Sequence, residues 1–267
     1  MKINFPVSRE FLYQLFSLLI IIFIVHALYA AVIRPRADEF LAEQATLMQQ
    51  DAAHVSQRSP FVVIRDYEQE CCFILMLWAL AIMGYKSTTT LRHRELLQLD
   101  LIPLGEGMRI LPEDTRDLSR EIQALPPEQR KALLPRALLA ALQRFISTRN
   151  IQDVSNATHA YCASEGERLD AELAMVRYIA WAIPSIGFIG TVRGIGQALG
   201  HAHKAIEGNI FDVTQSLGVA FNSTLIALLI SIVLMFMLQQ LQLLQERYVL
   251  DSEAYCENKL TRHLHTR

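Results

Sequence analysis

Two hydroxyl-bearing residues stand in unusually bare surroundings. Thr191 lies within Ala180–Gly200 and Thr224 within Leu217–Met237. Each stretch is a run of about 20 mostly apolar residues, long enough to cross a bilayer as a helix. In the first, Pro184, Gly187, Thr191, Gly194 and Ala198 recur at helical spacing, making one face of little bulk that carries a single hydroxyl. In the second, Thr224 and Ser231 stand seven residues apart on one face, beside Asn222 and Ser223. Small residues let membrane helices approach closely, and hydroxyls hydrogen-bond where lipid offers no partner. Two readings stay open at these positions: tight packing alone, or a polar lining for an ion path. None of the four apolar runs in the chain contains Asp or Glu. A proton path through lipid needs a group that takes up and releases a proton, so a conducting chain of this kind has to obtain its carboxylate from elsewhere.

The same residues carry a resemblance. Ile183-Pro-Ser-Ile-Gly-Phe-Ile-Gly-Thr-Val-Arg-Gly-Ile-Gly-Gln-Ala-Leu199 resembles the A-P-x-x-G-L-x-G-T-V-x-G motif of the TolQ/ExbB branch of the TolQ/ExbB/MotA proton-channel family. Gly218-Val-Ala-Phe-Asn-Ser-Thr-Leu-Ile-Ala-Leu228 is similar to that family's next helix, A-L-x-x-T-A-x-G-L. The second stretch departs from the pattern where the family's later A-I-P is Ile230-Ser-Ile232 and a usual Gly is Ala227. The motif-level match covers about the last third of the chain. It implies that Thr191 and Thr224 are the two pore-facing threonines, with Pro184, Gly187, Gly194, Asn222, Ser223 and Ser231 around them. It further implies a ring, commonly of five subunits, around two copies of a single-span partner of the ExbD, TolR or MotB type. That partner's membrane aspartate would supply the missing carboxylate, and proton flow would be coupled to rotation of ring against partner. Protons, or another cation, would then be the driving species, with no bound cofactor or metal and no metabolite chemistry. The family setting is a bacterial inner membrane.

The elements that must hold these residues follow from composition and pattern. Of 267 residues, 52% are hydrophobic and the formal net charge is −2, with positive mean hydropathy. This excludes a disordered or strongly nucleic-acid-binding chain and points to an all-α, polytopic membrane protein with soluble portions. Residues 1–10 form an N-terminal segment with Lys2 and Arg9, followed by an apolar first span over 11–33. A cleaved signal peptide would have a shorter apolar core, so the helix is expected to be retained. Residues 34–70 form a linking segment, with an amphipathic helix over Asp38–His54 and prolines 35 and 60 at its ends. A second span covers 71–86, and a soluble helical region 87–174, with a turn at Pro103-Leu-Gly105 and a helix start at Pro126-Pro127. Leu133, Leu134, Ala137, Leu138, Ala141, Leu142 and Phe145 repeat at helical spacing. A further helix runs from about Ile151 into a third span over 175–200; a loop at 201–216, a fourth span at 217–238 and a C-terminal helix at 239–267 complete the chain.

Charge orients these spans. Residues 84–173 carry 12 Lys and Arg, residues 34–70 carry four, and residues 201–216 only Lys204. By the positive-inside rule the large region and both termini are cytoplasmic, and 34–70 and 201–216 are periplasmic. Arg193 is the main departure within the spans. It sits about 200° of helix rotation from Thr191, and a membrane arginine needs a partner or a route to the headgroups. Asp66, Glu68 and Glu70 at the end of the second span are its candidate partners, lipid headgroups the alternative. His26 interrupts the first span as a second ionisable group. Cys71, Cys72, Cys162 and Cys256 show no pairing or metal spacing and read as packing residues. His201 and His203 read as solvated rather than metal-binding. Gly190-Thr-Val-Arg-Gly-Ile-Gly196 lacks the Gly-Lys-Ser/Thr ending of a phosphate loop. A small-solute transporter would show a repeat or an internal charged site, and a non-conducting scaffold leaves the paired hydroxyl faces unexplained. The reading is a proton-channel, stator-type subunit, with scaffold and transporter as the alternatives.

Overall fold

A computed structural model describes residues 9–50, 59–102, 109–206 and 210–265. Lys2, the turn expected at Pro103–Gly105, the end of the helix expected over Asp38–His54 and the Lys204 side chain lie outside the described residues. Among the described residues the chain is all-helical, apart from one isolated parallel bridge between Ile110 and Leu264. The helices are α1 (Arg9–Leu28), α2 (Arg34–Gln50), α3 (Pro60–Val63), α4 (Tyr67–Glu95), α5 (Thr115–Gln123), α6 (Pro127–Arg130), α7 (Leu133–Thr148), α8 (Ile151–Ala171), α9 (Ala174–Gly200), α10 (Ala202–Ile206) and α11 (Phe211–Lys259). Four continuous helical stretches among the described residues are long and apolar enough to cross a membrane: Glu10–Leu47, Tyr67–Gln98, Ile151–Gly200 and Phe211–His263.

Several boundaries differ from the sequence expectation: the loop expected at 201–216 holds α10 and the start of α11, which begins at Phe211 rather than 217, and two further differences have a local reason. The first helix does not stop at Ile33. It passes through a π turn over Tyr29–Ile33 and continues as α2. Pro35 has no N–H to give the Ala31 carbonyl, and the widened turn absorbs that gap where an ordinary α-helix would break. The second apolar helix begins at Tyr67 rather than at Cys71. Glu68 and Glu70 occupy its first turn and Arg92, His93 and Arg94 its last, the polarity that the helix dipole favours.

The chain divides into two compact units. One comprises Met1–Met83 and Met175–Leu238, the other Gly84–Ala174 and Gln239–Arg267. In the first, α1 is tied to α4 by Trp78 Nε1 donating to the Gln14 carbonyl (3.0 Å) and Tyr13 Oη to that of Ala81 (3.3 Å). Val25, Tyr29 and Ile33 pack there against Ile64, Phe73 and Ile74. Large apolar side chains such as Phe23, Trp181, Phe188 and Phe221 point outward. That is the inverse of a water-soluble surface and the arrangement a hydrocarbon solvent requires.

The second unit has an ordinary buried core. All seven apolar positions of α7 read from helical spacing are buried, packed with Val154 and Cys162 of α8 and Tyr248, Val249 and Cys256 of α11. The Tyr248 hydroxyl accepts from the Leu133 N–H (3.0 Å), satisfying a donor at the start of α7. Arg149 ends α7 in the left-handed region (φ 50°), and the Asn150 side chain then caps α8 by accepting from the Gln152 N–H (2.9 Å). Lys86 is almost fully buried and meets Glu172 at 2.8 Å. Of the four free cysteines, Cys72, Cys162 and Cys256 are buried as expected, whereas Cys71 is exposed.

Candidate ion-path site

The α9–α11 seam is set by what glycine leaves out. A Cβ on Gly187 would lie 2.4 Å from the Ala227 Cβ, one on Gly190 2.5 Å from the Ser223 Cβ, and one on Gly194 2.6 Å from the Ala220 nitrogen. All three glycines are buried against α11. They therefore allow close approach of two backbones rather than lining open space within one subunit.

The close approach brings Thr191 and Thr224 together. Their hydroxyls are hydrogen-bonded to one another. Thr224 Oγ1 also reaches the Gly187 carbonyl of α9 (3.1 Å), while Thr191 Oγ1 reaches the Ala220 carbonyl of α11 (3.2 Å) and that of Gly187 (3.3 Å). Two hydroxyl protons thus face more acceptors than they can satisfy at once, so the pair can exchange partners by rotating a C–O bond. Such a pair can hydrogen-bond to a nearby carboxylate in either of its protonation states, although it carries no titratable proton of its own near neutral pH.

A third cross-link lies farther along the seam. Pro184 has no N–H, which leaves the Ala180 carbonyl of α9 without its usual helical donor. Ser231 Oγ of α11 donates to that carbonyl at 3.1 Å. Ser231 thus has a backbone partner across the seam, and Pro184 supplies the reason for it.

A charged cluster borders the seam at the Tyr67 end of α4. Arg193 places Nε 2.7 Å from Glu68 Oε1, a charge contact without hydrogen-bond alignment, and donates from Nη2 to Glu68 Oε2 at 2.8 Å. The same Nη2 lies 3.3 Å from Asp66 Oδ1. Glu70 is engaged elsewhere, by Arg34 and by His26 Nδ1 (2.7 Å). Arg34 also stands over the Tyr67 ring, 4.2 Å from its centroid. The arginine expected to reach Asp66, Glu68 or Glu70 thus lies on the first two, while His26 of the first span sits on the third.

Between hydroxyls and charges lies Gln69, fully buried, whose Nε2 donates to Ser223 Oγ (3.3 Å) and the Val63 carbonyl (3.1 Å). Ser223 in turn donates to the Val219 carbonyl at 2.9 Å. Asn222 lies apart from this chain of contacts. With Arg65, Asp66, Thr214 and Gln215 it lines a cavity of about 570 Å³. Asp66 therefore faces both the cavity and Arg193. Sequence spacing identified the threonines, Gly187, Gly194 and Arg193, but nothing in the spacing singles out Gly190 or Gln69. Only the register of α4 against α11 brings Gln69 to Ser223.

Residues 129–254, a little under half of the chain, match the model of the MotA/TolQ/ExbB proton channel family. The match takes in α7, α8, α9 and most of α11, and so reaches well beyond the two motifs that carry the resemblance. It leaves out α1 to α4, including every acid of the charged cluster. No curated protein and no solved structure matches the chain. This match and the four long apolar helices together point to a multi-pass membrane protein.

Proposed function

We propose that the chain is the ring-forming subunit of an ion-driven motor in a bacterial inner membrane. Five copies surround two copies of a single-span partner of the ExbD, TolR or MotB type. The α9–α11 pair faces the partner, and the membrane aspartate of the partner passes the Thr191 and Thr224 hydroxyls as it gains and loses its proton. Proton flow then turns ring against partner. Residues 87–174 and 239–267 lie in the cytoplasm with both termini, as the excess of Lys and Arg in 84–173 favours.

One observation carries this reading: two threonines on separate helices, within a proton-channel family match, share a hydrogen bond and compete for one backbone acceptor, the Gly187 carbonyl. A packing contact needs only a single satisfied bond per hydroxyl. The test is co-purification with the single-span protein encoded beside it, followed by native mass spectrometry and proton flux in liposomes. Five copies with two partners and flux down an imposed gradient are expected. A monomer or dimer without such a partner, and without flux, would overturn the proposal in favour of a scaffold or a small-solute transporter.

A further inference from the structure

The acids at the start of α4 carry an inference that rests on the proton-channel reading and extends it. Asp66 and Glu68 share a single guanidinium, that of Arg193. Their side chains are about nine-tenths buried, 10% and 12% exposed. One cation compensates one carboxylate, and a buried charge left over is costly unless another positive charge joins it. Among the described residues the neighbouring elements do not supply one. From the first helix Arg34 and His26 are both on Glu70, and Arg65 is on Asp38. Tyr29, Cys71 and Cys72 are the other titratable groups near the acids among the described residues. Three acids, Asp66, Glu68 and Glu70, thus stand against two arginines.

Three further features surround this vacancy. The stem of Glu68 and the Ser223 hydroxyl converge on the bare side of Gly190, where a Cβ would meet Ser223 Oγ at 2.6 Å and Glu68 Cγ at 3.3 Å. Gly190 immediately precedes Thr191 in the seam. Gln69, fully buried beside Ser223, has an Oε1 with no hydrogen-bond partner. A buried acceptor left empty is costly, and a protonated carboxyl or a water molecule has the donor it lacks. Finally, Asp66 lines the cavity of about 570 Å³, whose largely apolar wall also carries Arg65, Thr214, Gln215 and Asn222 and which has ample room for water.

We propose that Asp66 and Glu68 form a proton-accepting site supplied by this chain itself, at the cavity end of the ion path. Arg193 keeps one carboxylate charged. The other takes a proton from hydronium in the cavity, forming a carboxyl O–H and leaving water, and later gives it up, past the Ser223, Thr191 and Thr224 hydroxyls, to the ionised aspartate of the partner, which becomes a carboxyl as this one returns to carboxylate. The site adds to the partner's aspartate a carboxylate that the apolar runs themselves do not contain.

Dicyclohexylcarbodiimide tests this on the intact chain, because it adds to protonated carboxyls in apolar surroundings. Purified protein is treated over a range of pH and the peptide spanning 66–70 is examined by mass spectrometry, with proton flux measured in parallel on the complex with its partner. The expected result is an adduct on Asp66 or Glu68, but not on Glu70, which declines as pH rises and increases in Arg193→Gln. No adduct at 66 or 68 overturns the proposal, even where flux is present and the channel reading survives. An adduct that sodium removes at constant pH also overturns it, by assigning the vacancy to sodium. An adduct with the expected pH dependence, in a complex that conducts nothing, supports the proton site while removing the channel reading.

Discussion

Gly194 offers the sharpest test of the seam, because the atoms facing it are backbone and cannot turn aside. In Gly194→Ala the new methyl would lie 2.6 Å from the Ala220 nitrogen and 2.8 Å from its Cα and Cβ. Comfortable carbon contacts begin at roughly 3.5 Å, so α9 and α11 must part by about 1 Å near this point. The Thr191–Ala220 hydrogen bond, already 3.2 Å, would then pass beyond the range in which it counts. Overpacking of this kind costs about 1–3 kcal/mol, and a lost hydrogen bond about 0.5–1.5 kcal/mol. A total near 3 kcal/mol is roughly a hundredfold shift against the packed pair. Gly196, two residues on, is the control: a Cβ there meets nothing within 4 Å, and alanine gains up to about 1 kcal/mol of helix propensity. The assay is unfolding of the detergent-solubilised protein in rising SDS, followed by the fluorescence of Trp78 and Trp181 and by circular dichroism. Gly194→Ala should unfold at clearly lower SDS and Gly196→Ala at or above the wild-type value. Equal midpoints for Gly194→Ala and wild type, or equal damage from both substitutions, would refute the close-approach argument.

Thr224→Val should keep assembly but lose proton flux, with Thr224→Ser recovering much of it; unchanged flux in the valine variant would leave the hydroxyl pair a packing feature. Ser231→Ala should destabilise by about 0.5–1.5 kcal/mol, the size of one hydrogen bond. In a Pro184→Ala background the restored N–H serves the Ala180 carbonyl, so the same change should become nearly neutral; additive losses in a double-mutant cycle would refute the link. Glu68→Arg and Arg193→Glu should each impair folding or assembly, and the double exchange should partly restore it. No recovery in the double variant would show that this pair does not hold α4 to α9.

Much of this architecture is legible in the residues, because its causes are local. Helical spans follow from the length of the apolar runs, the α7 core from a repeat that has to bury one face, and the seam from small residues four apart. Thr191 was legible for the same reason, since a lone hydroxyl on a bare face is a pattern along the chain, and Thr224 through the hydroxyl face it shares with Ser231. The ends of the helices were less so: the π turn at Pro35 and the four extra residues at the start of α4 depend on how broken hydrogen bonds are absorbed and how charges meet a dipole. The third dimension alone decided the partners. Glu68 and Glu70 are separated by one residue, yet one meets Arg193 of α9 and the other Arg34 and His26 of the first helix. Gln69 between them is placed on Ser223, 154 positions away. Spacing along a helix says which side chains share a face. Which helix that face meets, and at what height, is set by packing among segments far apart in the chain, and there the unbalanced carboxylates come to lie beside the hydroxyls.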